Sequence, residues 1–136
     1  MTQEEKQLVL IELCTRLPYG LHVCIKEGKV SIDVDTVLRA SDIHDWLTIP
    51  SCQNITFAPY LRPISSMTEE EWLTLKEWIF VASDTEGKIY FDGFRSISAE
   101  DTVKAIDYLI SHYFDYRGLI PMGLALKAPE GMYKTE

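Results

Sequence analysis

The run Met67-Thr68-Glu69-Glu70-Glu71-Trp72 constrains the fold most, because it marks a helix start from several independent directions. Thr68 is placed to cap, Glu71 to reciprocate three residues later, and Met67 to staple against Trp72. Three consecutive acids also face the positive end of the helix dipole. Leu73, Leu75, Trp78 and Ile79 then supply an apolar face, so the spacing predicts a helix from Glu69 to Val81 or Ala82. Trp72 and Trp78 belong to that face and are expected in the core. This is strong architectural information that names no chemistry.

The same signals recur elsewhere. Thr2 and Glu5 form a second capping box ahead of Leu10, Leu13, Cys14 and Leu17, which predicts a first helix from Thr2 or Gln3 to Leu17, ended by Pro18-Tyr19-Gly20. Cys14 on that stripe is expected to be a buried thiol acting as a small hydrophobe. Two strands, 21–26 and 29–35, follow as a hairpin through Glu27-Gly28. In the second, Val30, Ile32 and Val34 alternate with Ser31, Asp33 and Asp35, which predicts one buried and one wet face.

Residues 36–66 are less regular. Val37 and Leu38 extend the strand, residues 42–46 read as a helical turn, and Ile55 and Phe57 share one side of a short strand. Pro59 and Pro63 interrupt the ladder around Tyr60, Leu61 and Arg62. After the capped helix, Asp84-Thr85-Glu86-Gly87 reads as a turn and 88–94 as a strand. Ser98 opens a third helix with Glu100 and Asp101 in its first turn and a stripe of Val103, Ile106, Leu109 or Ile110, and Tyr113. The fold class expected is α+β: an N-terminal helix with a small antiparallel sheet, then a two-helix C-terminal half with one intervening strand. The 136 residues fit one compact domain, with 1–66 and 67–136 as its possible subdivisions.

Charge and cysteine usage narrow the partners. The net charge of -8 divides as -2 over residues 1–67 and -6 over 68–136. An acidic surface opposes nucleic acid and anionic membrane, and leaves a protein as the expected partner. A local patch of Lys26, Lys29 and Arg39 is the only opening for nucleic acid. No apolar run reaches the length of a membrane span, and Met-Thr-Gln-Glu-Glu lacks a basic flank or signal core, so a cytoplasmic setting is the default. Cys14, Cys24 and Cys52 contain no close pair and are expected to be reduced.

The segments 17–20, 60–71, 114–120 and 123–133 resemble a group of small uncharacterised proteins from phages, prophages or other mobile elements of gut Bacteroidetes. They include Leu17-Pro18-Tyr19-Gly20, Tyr60-Leu61-Arg62-Pro63, Phe114-Asp115-Tyr116-Arg117-Gly118 and Gly123-Leu124-Ala125-Leu126. They touch both ends and the middle of the chain, while residues 21–58 correspond to the variable part of such proteins. The resemblance implies a bacterial or phage setting and carries no catalytic residue across.

Reactive constellations are sparse. His22 and Cys24, two apart on a strand, can point to one side, and zinc accepts both, but a structural site needs four ligands. His44, Asp45 and Cys52 complete such a site only through a fold contact. Asp33 and Asp35, or Asp42 and Asp45, can hold magnesium or divide acid and base roles, and alternation predicts a solvated face equally well. Cys24 with His22 or His44 matches a nucleophile and base by residue type alone. Lys26-Glu27-Gly28-Lys29 has too few glycines for a phosphate loop. No catalytic, metal or cofactor residue is therefore assigned, and no cofactor is expected. His22, Cys24, Asp33 and Asp35 stand as the polar site of an alternative reading, a small metal-dependent or cysteine-dependent hydrolase.

The leading expectation is a protein-interaction or regulatory role. Tyr60 and Arg62 lie on a proline-bounded segment, and Tyr113, Phe114, Tyr116 and Arg117 gather at the end of the third helix. Tyrosine and arginine combine apolar contact with polar matching and so anchor interfaces. The rival role for these six residues is docking the C-terminal tail, with Arg117 paired to Asp115 or a distant acid. His112 reads as a surface or packed histidine.

Overall fold

A computed structural model describes residues 1–52, 54–78, 82–83, 89–90 and 98–133. Helix α1 (Gln3–Arg16) opens on the expected box: the Glu5 amide donates to Thr2 Oγ1 at 3.1 Å, and the Thr2 amide donates to Glu5 Oε1 at 2.9 Å. A short 3-10 turn (Leu17–Tyr19) follows, and Gly20 at φ 75° reverses the chain at the helix end. Strands β1 (His22–Glu27) and β2 (Val30–Val37) form the hairpin, with Gly28 at φ 61° in its turn. Helix α2 (Ala40–Thr48), β3 (Ile55–Leu61), α3 (Glu69–Leu75), a two-residue β4 (Ala82–Ser83) and β5 (Ile89–Tyr90), α4 (Ala99–Ser111) and β6 (Leu126–Lys127) complete the order.

The main sheet runs β2-β1-β3-β6. β1 pairs antiparallel with both β2 and β3, whereas β6 joins β3 in parallel from the C-terminal tail. This is the α+β arrangement the pattern predicts, with two strands it does not foresee, β6 and the short β4 where the second helix is expected to end. β4 and β5 pair only with each other among the described residues, so Ile89–Tyr90 stays outside the N-terminal sheet. Most of the expected 88–94 strand, the 84–87 turn and Ile79 lie outside the described residues.

Two apolar clusters fill the interior. In the first, Val9 and Leu13 of α1 and Ile43 and Trp46 of α2 meet Val23, Phe57 and Leu61 of the sheet, and Leu119, Leu124 and Ala125 return from the tail. Trp46 also donates its indole N–H to Ile55 O at 2.7 Å, so a large apolar ring is buried without orphaning its polar edge. The second cluster joins Met67, Trp72 and Leu75 to Ala105, Leu109 and Phe114, which puts the expected staple partners together. Trp78 is half-buried against it, with its ring 5.7 Å from Tyr108.

Several expectations fail for identifiable reasons. Helix α3 stops at Leu75, where the Glu77 and Trp78 amides turn to the Thr74 and Leu75 carbonyls three residues back and tighten the chain into turns; Leu73 is exposed. Cys14 is exposed, and so is Val103. The buried face of α1 contains Val9, Glu12, Leu13 and Arg16 instead, with both charged residues fully enclosed. Arg16 Nε lies 3.2 Å from Glu12 Oε2, its Nη1 donates to Ile110 O at 3.3 Å, and its Nη2 donates to Phe114 O. The guanidinium thereby ties α1 to the last turn of α4 at Ile110 and to Phe114 just beyond it. Those long-range acceptors are what make burial of the pair tolerable.

Candidate interaction surface

The six anchor candidates come together around the chain reversal after α4, and their strongest contacts are internal. Arg62 forks onto Glu71, Nη1 to Oε2 at 2.8 Å and Nη2 to Oε1 at 2.7 Å, while its Cζ sits 4.2 Å from the centre of the Phe114 ring. Glu71 thus caps α3 and holds Arg62 at once. Burial pushes its carboxyl up, yet the Arg62 and Thr68 hydrogen bonds with the guanidinium charge outweigh that and hold it below the usual range. Phe114 is fully buried, and Tyr60 is 8% exposed with its hydroxyl donating to Val34 O at 2.7 Å.

Tyr113 turns the chain at φ 66°, a costly conformation for a non-glycine residue. The Arg62 amide donates to its carbonyl at 2.7 Å, and its ring stacks on Tyr133 with centres 3.7 Å apart. Its hydroxyl donates to Tyr19 O. Tyr133 ties this corner to the sheet, accepting from the His22 amide at 3.0 Å and donating to Tyr60 O at 2.7 Å. Burial raises the Tyr133 phenol far above its ordinary pKa, so the donor persists through the physiological range.

Arg117 takes the distant acid over Asp115. Its Nε lies 3.3 Å from Glu12 Oε1, a charge contact without hydrogen-bond alignment, because the same N–H is directed at Tyr116 Oη at 3.1 Å. Asp115 instead accepts the Leu119 and Ile120 amides, each at 2.8 Å, and shapes the turn through Gly118. These contacts dock the tail, which leaves Tyr116 and Arg117 only partly open to solvent.

The polar candidates cluster on the hairpin. His22 Nδ1 lies 2.7 Å from Asp35 Oδ1, an arrangement that orients an imidazole. Cys24 is 3% exposed, with Sγ 3.9 Å from Ser31 Oγ. Asp33 stands opposite Ile25 and accepts the Asp35 amide at 3.3 Å. Among the described residues, no group of three His, Cys, Asp or Glu side chains converges to hold a metal ion. Two clefts of about 560 and 430 Å³ are lined elsewhere, the first by Glu69, Glu70, Glu71, Tyr108 and His112, the second by Arg62, Ser66, Lys127 and Tyr133. Lys26 is half-buried and Arg39 pairs with Asp42 at 3.5 Å.

The largest departure from expectation is β2 itself. Val30 is 70% exposed, Ile32 56%, Val34 65% and Val37 47%, so the face predicted to be buried is wet. β2 is the outer strand of its sheet, and α1 and α2 pack over β1 and β3 without reaching it. Register irregularities flank Ile25, one on each side, and bulges of this kind disrupt strict alternation. Strand composition held a signal that alternation hid. β2 carries only β-branched apolar residues among short polar ones, whereas β3 carries Phe57, Tyr60 and Leu61, the bulk needed to fill a core.

Among the described residues no helix is long and apolar enough to cross a membrane. No protein-family model, curated protein or solved structure matches this chain.

Proposed function

We propose that this chain is a protein-interaction module whose outer strand β2 takes up a strand from a protein partner. The observation that carries the reading is the set Val30, Ile32, Val34 and Val37, each 47–70% exposed on a strand that pairs on one side alone among the described residues. Natural sheets avoid long apolar edges unless something covers them. Strand addition supplies backbone hydrogen bonds for affinity and alternate side chains for specificity. The aromatic corner of Tyr60, Arg62, Tyr113, Phe114, Tyr116 and Arg117 then serves to brace the sheet that presents the edge, with Tyr116 and Arg117 left to contribute at its rim. The setting we propose is a regulatory one in a phage or mobile element, as the resemblance of residues 60–71 and 114–133 suggests.

Capture from bacterial host cells tests this, with the wild type run beside Ile32→Lys/Val34→Lys. Both positions are exposed, so the variant is expected to fold. A partner held by the wild type alone, with β2 amides slowed in hydrogen exchange, supports the reading. Retention of every specific partner by the folded variant overturns it. The His22–Asp35 pair favours a second reading, a small hydrolase, and hydrolysis of an activated ester that disappears in His22→Ala would place it ahead.

A further inference from the structure

We propose that residues 126–133 form a detachable strap, locked where the Tyr133 hydroxyl enters the seam between β1 and β3. The seam has a fixed rhythm. The Gly28 amide donates to Asn54 O at 3.1 Å, and steps of two along the register lead through Lys26 with Thr56 and Cys24 with Ala58 to His22 with Tyr60. The observed pairing stops one residue short of that rung, at Val23 with Pro59. There the His22 amide donates at 3.0 Å to the Tyr133 phenol, which donates at 2.7 Å to Tyr60 O. One side-chain oxygen from the tail thus stands between a backbone donor and the backbone acceptor that the register sets opposite it.

This gives the tail a second state without orphaned groups. A buried donor or acceptor that loses its partner is costly, and that cost ordinarily holds a side-chain bridge in place. Here withdrawal of Tyr133 lets β1 and β3 close by one rung, His22 N–H onto Tyr60 O, so both backbone groups are satisfied with the tail in or out. The strap exchanges the two hydrogen bonds of its phenol for one backbone bond and a hydrated hydroxyl. Two discrete arrangements, each internally satisfied, are what a switching element requires.

The strap is held lightly compared with the chain before it. Leu119, Leu124 and Ala125 are buried in the first apolar cluster, and the Asp115 carboxylate accepts the Leu119 and Ile120 amides. Past Ala125 the character changes, and Lys127, Pro129, Glu130 and Gly131 are exposed. β6 is two residues long, and the Ala128 amide donates to Leu61 O at 2.8 Å. Neighbouring carbonyls of a strand face opposite sides, so Ala128 on Leu61 and Tyr133 on Tyr60 mark a tail that crosses β3 from its outer side to the β1 side. Tyr133 is the far anchor, its ring stacked on Tyr113 and edge-on to His22 with centres 5.3 Å apart. Opening takes β6 from the outer side of β3 and removes Lys127 and Tyr133 from the wall of the 430 Å³ cleft. The device lies at the opposite side of the sheet from β2 and stands independently of the reading given to that strand.

Site-resolved amide exchange on the whole chain, wild type beside Tyr133→Phe, tests the lock. The substitution keeps the ring that stacks on Tyr113 and removes only the hydroxyl. In the wild type the Ala128 amide should exchange through a local opening, insensitive to low denaturant and faster than the Leu13 amide within α1. In Tyr133→Phe it should exchange about tenfold faster still, the weight of one hydrogen bond. The His22 amide should stay protected in the variant and show a coupling across a hydrogen bond to the Tyr60 carbonyl carbon that the wild type lacks. A hydroxyl that only props the seam gives the reverse, with His22 exposed together with Ala128. Fast His22 exchange or a missing coupling in the variant overturns the proposal. So does an Ala128 rate that ignores the substitution, or one that follows global unfolding in the wild type. Thermal melts run alongside, and a variant that fails to fold overturns it too, because a strap that can leave is not what holds the fold.

Discussion

β2 and β3 flank the same central strand, yet they end in opposite environments. β3 buries Phe57, Pro59, Tyr60 and Leu61, while β2 is exposed at every residue except half-buried Thr36. Both run antiparallel to β1, so the backbone pairing does not separate them. What separates them is what lies beyond: β3 has β6 on its far side and two helices over its face, and among the described residues β2 has neither. A period of two declares a strand, and only its place in the sheet decides whether its apolar set is a core or a contact surface.

The sharpest way to stress that contrast is to damage the buried side. Arg16→Met removes the cation shared by Glu12, Ile110 O and Phe114 O and leaves an enclosed carboxylate with Arg117 as its one cation among the described residues. Chemical denaturation should show a loss of about 3–5 kcal/mol. A change below about 1 kcal/mol would mean the guanidinium is not enclosed as described.

Glu71→Gln should have a smaller effect that depends on pH. The folded-state carboxyl titrates below its unfolded value, so its stabilisation is fully present above the ordinary glutamate range and is lost as pH falls through the folded pKa. The stability gap between wild type and variant should be clear near about pH 7 and close towards about pH 3. A gap that is constant across this window, or that widens in acid, contradicts the Arg62–Glu71 fork.

The smallest effect is expected on the exposed side. Ile32→Thr and Val34→Thr, measured at protein concentrations too low for association, should each shift unfolding by no more than about 0.5 kcal/mol. Losses of the size seen for core truncations would mean that β2 is covered within its own chain, and the comparison with β3 would collapse.

Local signals carried most of the architecture. The boxes at Thr2/Glu5 and Thr68/Glu71 and the cap at Ser98, which accepts the Asp101 amide at 3.2 Å, lie where their spacing indicates, because a cap involves residues three apart. The hairpin follows from Gly28 for the same reason. Features set by distant partners were not legible. Arg16 finds acceptors 94 and 98 residues away, and β6 is two residues long and stands only because β3 is beside it. Cys14 falls on the apolar stripe of α1 by spacing, yet the enclosed Glu12–Arg16 pair turns the buried face away from it. The anchor residues around Tyr113 and Arg117 were legible as a cluster, while their inward orientation depended on Tyr133, Glu71 and Glu12.

The reach of Arg16 has a kinetic consequence. Its helix can form from nearby residues alone, yet its acceptors belong to a turn that closes nearly a hundred positions later, and such distant closures come late. Weakening Arg16 should therefore hasten the protein's opening far more than it delays its assembly, giving this one side chain control over how long each folded molecule lasts.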